Sequence, residues 1–373
     1  MFRSGDNRAV VLAGGGHAHL YAIERAAHFA ERGCEVVLVN PSPYLYYSGM
    51  ATGVISGTYT PEQDRIDVRR LVERGGGRFV RGRVTSIDRK VRKLILEGGE
   101  QVSYDLASFC LGSEVAPVGA GYSGGPVVPV KPVENMVEIR TRLLSRAGTG
   151  GPKLLVIGGG AAGCEVAANA ANLLGARGVG GRVTLAEAGP SLLYDSPAKA
   201  RSSIFSYLRS VGVRVLLKTS IVSRANGVVR TGAGQEIAAD IVVPAAGVVP
   251  RSIIWNPSVL TGEDGGLWVN PYLQSVTDPR LFGGGDSIAF RGEALPRLGV
   301  FGIRQGPLIF RNLLSALEGK PLEAYAPQRR YLYVLNLGDG TGLAIYGSFS
   351  WRGRSAMRLK HYIDQRFVRR YSS

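Results

Sequence analysis

Cysteine is scarce in this chain: its 373 residues hold three, Cys34, Cys110 and Cys164, far apart and without a CxxC pair. That spacing excludes a disulfide framework and a tandem redox dithiol, and leads us to expect a reducing, cytoplasmic setting. No apolar stretch reaches the roughly 18 residues that a membrane span needs. The opening MFRSGDNRAV runs into a strand without the apolar region of a secretory signal, so no span is expected. Acidic residues are outnumbered, 29 against 45 Lys and Arg, giving a formal net charge of +16. Such a surface attracts dinucleotides, anionic lipid or nucleic acid. The basic residues are spread rather than blocked, and no zinc-finger or RNP signature accompanies them, which sets nucleic acid aside.

What the sequence has in quantity is glycine, 52 residues in a composition 45% hydrophobic and 20% charged. This is a globular balance, long enough for two domains and rich in tight turns. An internal duplication organises it. The first copy has an apolar strand at 10–13, a turn at Gly14-Gly15-Gly16, a helix over 17–32 and a strand at 35–40. The second has a strand at 153–157, a turn at Gly158-Gly159-Gly160, a helix to about 174 and a strand at 182–187. Each continues as a β-meander, over 78–96 and 213–229, and each closes on an apolar strand that opens at Asp105 or Asp240, seven residues before Gly112 or Gly247. The Gly- and Pro-rich stretch between the copies carries one helix, over 133–146. After the second copy come a strand and turn within 281–290, a helix over 301–318, strands at 331–337 and 342–349, and a basic helix.

A GxGxxG run between strand and helix lets backbone amides approach a diphosphate seated on the positive helix N-terminus. Gly158, Gly160 and Gly163 match it fully, with Ala161 and Ala162 between them. Glu187 ends the next strand, where a carboxylate holds a ribose diol and repels a 2′-phosphate, favouring NADH over NADPH. In the first copy Gly14 and Gly16 match, but His19 stands third and Asn40 replaces the acid. Asn40 can still bond a ribose hydroxyl. His17 and His19 read as lining and underpinning the phosphate turn rather than as metal ligands, since no carboxylate or cysteine accompanies them. In FGGGD, a strand delivers Asp286 to the N-terminus of the next helix, where it both caps the helix and bonds a ligand hydroxyl.

The paired glycine turns, VVPAAGVVP, VNPYLQSVTDPRLFGGGD and IRQGPLIFRNL together resemble the two-dinucleotide flavoprotein superfamily over nearly the whole chain. Within it GGGHAHL, YYSGMATGVISGTY and RLKHYIDQRF are most similar to type II NADH dehydrogenase-like proteins, found alone or fused to selenide water dikinase. The resemblance implies an α/β fold of two Rossmann-like domains, with the NAD domain inserted in the FAD domain. It assigns 1–118 and 249–319 to FAD, 119–150 to a linker, 151–248 to NAD(P)H and 320–373 to a small α+β appendage. It places Tyr47, Ser48, Gly49 and Met50 beside the isoalloxazine, Val84 near the adenine and Asp286 on the ribityl chain. Gly15, Ala18, Pro41, Leu111, Gly112, Ser113 and Gly285 complete the implied FAD contacts, and Ala246 and Gly247 lie near the nicotinamide.

Glu165 falls where type II dehydrogenases carry a glutamate near flavin and quinone, a proton relay. The implied activity is hydride transfer from NADH to FAD and on to an acceptor, a quinone at the membrane surface being the first choice. Two departures bear on that acceptor. The AQxAxQ-like quinone motif is here Gly299 to Gln305, keeping only the last glutamine, and the cysteine pair of sulfide-quinone oxidoreductases is missing. A flavin-binding accessory or redox-sensing partner in selenium metabolism, and a sulfur or selenium compound reductase using Cys110 or Cys164, stand as alternatives. The terminal helix, over 351–371, has seven Arg or Lys against one Asp, with Leu359, Tyr362, Ile363 and Phe367 near one face. It reads either as an anionic-membrane contact, at the inner face of the membrane, or as a dimer or domain contact.

Overall fold

The structure is a computed structural model that describes residues 8–116, 125–145, 150–251, 253 and 259–372. The junction expected at 118–119 and the expected helix end at 146 lie outside these residues.

Two parallel sheets carry the molecule. The first has five strands in the order Leu281–Gly283, Leu106–Phe109, Arg8–Ala13, Cys34–Asn40 and Arg78–Arg81. The second has four, Arg214–Leu216, Arg182–Ala186, Lys153–Ile157 and Ile241–Pro244, and Val127 bridges in parallel to Val242 along its edge. Residues 10–13, 36–39, 154–156 and 241–244 of these strands are buried apolar runs, as expected where both faces of a parallel sheet are covered. Each unit also bears a three-stranded antiparallel meander, Val84–Asp88 to Gln101–Ser103 and Ile221–Ala225 to Glu236–Ala238. The meanders expected over 78–96 and 213–229 are therefore displaced: Arg78–Arg81 and Arg214–Leu216 belong to the parallel sheets.

The duplicated aspartates have one shared function. The carboxylate of Asp105 accepts the Ala9 N–H at 2.9 Å while its own N–H donates to the Ala9 carbonyl. Asp240 does the same to Lys153, its carboxylate accepting the N–H at 2.9 Å. Each carboxylate clasps the strand that closes its repeat, Leu106–Phe109 or Ile241–Pro244, to the strand that opens it.

The helix expected over 17–32 is divided into Leu20–Glu24 and Ala27–Ala30. From Arg25 to Phe29 several backbone bonds tighten to the i→i−3 spacing, which interrupts α-helical geometry. Its counterpart, Ala161–Ala176, is continuous. The strand-and-turn region also differs from expectation: Asp286 caps no helix. It lies in a 3₁₀ turn, Gly285–Ser287, followed by strand Ile288–Phe290, and the long helix begins only at Gly299, capped by no side chain. The C-terminal part has three antiparallel strands, Leu332–Asn336, Gly342–Tyr346 and Phe349–Gly353, then helix Arg354–Ser372. Trp351 therefore lies in the third strand and not in the expected terminal helix, which begins at Arg354. This appendage ties the units together. Leu335, Leu337, Leu343 and Ile345 join the core around the second sheet, whereas Met357, Val368 and Tyr371 join that around the first.

Candidate active site

Both glycine turns need a backbone without side chains. Gly14 and Gly158 adopt φ of +90° and +110°, and a Cβ at Gly14 would lie 2.3 Å from the Cys110 carbonyl oxygen. In the second turn Gly163 packs so closely that a Cβ there would stand 1.9 Å from the Gly158 oxygen. In the first, His19 occupies the equivalent place: its Nδ1 lies 2.6 Å from the Gly14 oxygen and its Nε2 2.8 Å from the Ser108 hydroxyl. The histidine turns its side chain inward and spans with a hydrogen bond what Gly163 achieves by contact. Burial pushes its pKa down to about 4, the bond to Gly14 only partly opposing this.

The strand-end residues also correspond. Asn40 accepts the Gly15 N–H at 2.9 Å, and Glu187 accepts the Gly159 N–H at 2.5 Å and the Gly189 N–H at 2.6 Å. Pro41 follows Asn40 at the surface, and Val84 is buried two residues beyond Gly82, whose N–H donates to the Asn40 carbonyl. Gly16, His17, Ala18 and the amides of Gly160, Ala161, Ala162 and Gly163 form the two helix entrances, where backbone donors lack intrahelical partners.

A third segment meets the first turn. Gly302 of the long helix approaches Gly285, the His17 side chain at its Cβ and the Ala18 nitrogen, and Gln305 accepts the Gly285 N–H at 2.6 Å. The Ser287 hydroxyl accepts the N–H groups of Leu111 and Gly112 at 2.6 and 3.1 Å, locking the two turns together. Asp286 receives the Ser113 hydroxyl at 2.5 Å and the Lys131 ammonium at 2.9 Å. Burial works against its charge, but Lys131, Ser113 and His17 more than offset that and hold its carboxyl below the usual range. His17 itself is pushed down to about 4 by burial, with Asp286 opposing, and its Nε2 is buried without a protein partner. The turn after the second unit's last strand, Ala246 and Gly247, packs against Gly158, and Gly247 takes φ +62°.

The segment from Tyr47 to Met50 rests on the C-terminal helix. The Tyr47 hydroxyl donates to Asp364 at 3.2 Å, Lys360 pairs with Asp364 at 2.9 Å, and the Lys360 ammonium also donates to the Gly49 carbonyl. Ser48 and Gly49 open a short helix, Ser48–Ala51, with Met50 buried. Phe367 stacks on Tyr47 with ring centres 4.8 Å apart and lies 6.0 Å from the His17 ring. The four residues expected near one face, Leu359, Tyr362, Ile363 and Phe367, are thus divided: Tyr362 and Ile363 are exposed, and Phe367 points into the molecule. Beyond Phe367 opens a groove of about 550 Å³, bordered by Ile303, Arg304, Tyr325, Arg370 and Tyr371.

Glu165, one turn into its helix, accepts the Asn336 N–H at 2.6 Å. Burial pushes its pKa up to about 7, against the opposing pull of Lys360 and the Asn336 N–H. Asp64, also buried, is pushed up to about 8 by burial, partly opposed by a bond from the Tyr47 backbone. Burial raises Cys110 to about 12 and raises Cys164 as well. No sequence expectation covers Lys131, Ser287, Asp64, Lys360 and Asp364, yet the fold brings them to the site. Lys360 and Asp364 carry one faint signal, an i,i+4 pair of opposite charge on a basic helix.

Comparison with known proteins gives the same architecture. The chain is 24% identical over 332 residues to the demethylphylloquinone reductase NdbB of Synechocystis, covering 84% of this chain and 80% of that protein. It is 26% identical over 388 residues to a type II NADH:quinone oxidoreductase of Staphylococcus saprophyticus, covering 97% and 96%. The sulfide:quinone oxidoreductase of Aquifex aeolicus superposes with a TM-score of 0.82 at 16% identity, over 98% of this chain and 91% of that one. The family model for pyridine nucleotide-disulphide oxidoreductases matches residues 8–306, and with both glycine turns and both parallel sheets inside that span, this chain belongs to that family.

Proposed function

We propose that this chain is an FAD-dependent NADH dehydrogenase that takes hydride from NADH and passes electrons to a quinone. The observation that carries the reading is the pair of side-chain-free turns, each with a hydrogen-bonding residue poised at the end of the next strand. Residues 1–118 and 249–319 hold FAD in this reading, and 151–248 hold NADH. The residues suit FAD: the amides of Gly14 to Ala18 would hold its diphosphate, Asn40 would bond a ribose hydroxyl, Asp286 would accept from the ribityl chain, and the buried His17 Nε2, without a protein partner, would meet a polar atom of the cofactor. Bound FAD supplies the two-electron relay between nicotinamide and acceptor. The protein contributes binding, orientation and one proton donor, Glu165. The carboxylate of Glu187, presented between two glycine amides, favours NADH over NADPH.

For the acceptor, the groove beyond Phe367 offers an aromatic, arginine-rimmed approach to Tyr47. The relatives named for quinone reduction support that choice. A sulfur or selenium reductase would need a reactive thiolate, and both candidate cysteines are buried with raised pKa. No helix among the described residues is long and apolar enough to cross a membrane. Contact with an anionic bilayer falls instead to the arginine-rich outer side of the C-terminal helix, with Tyr362 and Ile363 exposed on it.

The test is direct. Purified protein is expected to be yellow, to bleach under anaerobic NADH and to recover colour on adding a quinone, faster with anionic liposomes. Protein that cannot be reconstituted with FAD would overturn the reading, and bleaching without recovery by any quinone would remove the acceptor alone.

A further inference from the structure

Two buried carboxyl groups draw on one ammonium. Lys360 and Asp364 form a direct ion pair at 2.9 Å, their side chains only 7% and 6% exposed. Glu165 has no ion pair of its own among the described residues, yet Lys360 is the foremost charge acting to keep it ionised. Glu165 accepts the Asn336 N–H at 2.6 Å, Gly53 brings the neighbouring segment against Asn336 and the Tyr59 ring, and Thr52, Asp364 and Tyr59 are the other groups whose polarity or charge bears on the carboxyl. Asp64 and His361 lie next beyond, His361 stacked on Tyr59 at 5.7 Å. A buried cation compensates one carboxylate fully, and a second carboxylate nearby is better accommodated with its proton on.

We propose that Asp364 is a positioning residue for proton delivery at Glu165: by holding Lys360 in a direct ion pair it denies Glu165 a cation, and so keeps that carboxyl loaded with a proton for the acceptor. The purpose of this arrangement rests on the dehydrogenase reading, although its test does not. NADH, a quinone and one proton give NAD⁺ and the quinol. The hydride brings two electrons and one hydrogen, the O–H bond of Glu165 breaks to supply the other, and the carboxylate regains its proton from solvent. Tyr47 stabilises the arrangement by donating to Asp364, which fixes the ion pair beneath the Tyr47–Met50 segment.

The experiment is an infrared pH titration of the protonated carboxyl band of Glu165, identified by its loss in Glu165→Gln, in protein with and without FAD. Asp364→Asn keeps the volume and the acceptor for Tyr47 but releases Lys360. The midpoint is expected to fall by about one to three pH units, with the pH midpoint of quinone-driven reoxidation falling in step. Lys360→Met is expected to move the Glu165 midpoint the opposite way. Unchanged midpoints in folded Asp364→Asn protein, or a downward shift in Lys360→Met, overturn the proposal. Wild-type protein that NADH fails to bleach removes the dehydrogenase reading and leaves the infrared titration to decide the coupling.

Discussion

The two glycine turns reach the same shape by different means. In the second, close packing does the work: Gly163 brings its helix to within contact of the Gly158 oxygen, and any side chain would block it. In the first, a buried imidazole fills the gap and bonds both the turn and the neighbouring strand through Ser108. A motif position therefore specifies a distance to be bridged as much as a residue type. The packed solution tolerates no substitution, and the bonded one depends on the protonation of a histidine.

The contrast can be broken most severely at Gly163. Gly163→Ala places a Cβ 1.9 Å from a backbone oxygen, so the helix entrance must move. We expect NADH binding to weaken more than about 100-fold, equal to about 2.7 kcal/mol, with FAD retained. Bleaching titrations on the yellow protein check this. His19→Gly, which makes the first turn read like the second, is expected to lose about 3 kcal/mol on denaturant unfolding rather than improve the site. It leaves the buried Gly14 carbonyl and Ser108 hydroxyl unpaired and opens a cavity.

Acid should expose the same asymmetry. The folded pKa of His19 lies below its ordinary value, so its contribution to stability is complete above about pH 6.5 and is lost as the pH falls through 6.5 toward 4. That loss reaches about 3 kcal/mol, and hydrogen exchange should show the first unit opening before the second. Equal opening of both would sink the idea.

The clasps offer a comparison in which the units should behave alike. Asp105→Ala and Asp240→Ala are each expected to cost about 1.5–3 kcal/mol by equilibrium unfolding, since each removes a charge-assisted bond to a strand N–H. Losses differing by more than that range would deny the equivalence. The smallest effect is expected at the strand ends: Glu187→Gln, which makes the second unit resemble the first at Asn40, should narrow the preference for NADH over NADPH about tenfold, or 1.4 kcal/mol, in steady-state kinetics.

The features legible in the sequence are those fixed by local geometry. Three glycines in a row after an apolar strand leave few alternatives, and both turns, their flanking strands and the repeated aspartates could be read directly. The helix after the first turn was overdrawn because periodicity does not register a change from i→i−4 to i→i−3 bonding. Asp286 was given a cap because a strand followed by Asp usually precedes a helix, and the intervening strand Ile288–Phe290 is only three residues long. Lys131, Lys360 and Asp364 were missed for a different reason. Their partners are distant in sequence or on another element, and a basic helix reads as a solvated surface until the packing shows which side is inside.

The aspartate clasp also bears on how the two sheets depend on one another. Each clasp joins the opening and closing strands of its own repeat and involves no residue of the other. The two sheets are thus held by separate and self-contained devices, so loss of one clasp loosens its own sheet and leaves the other shut.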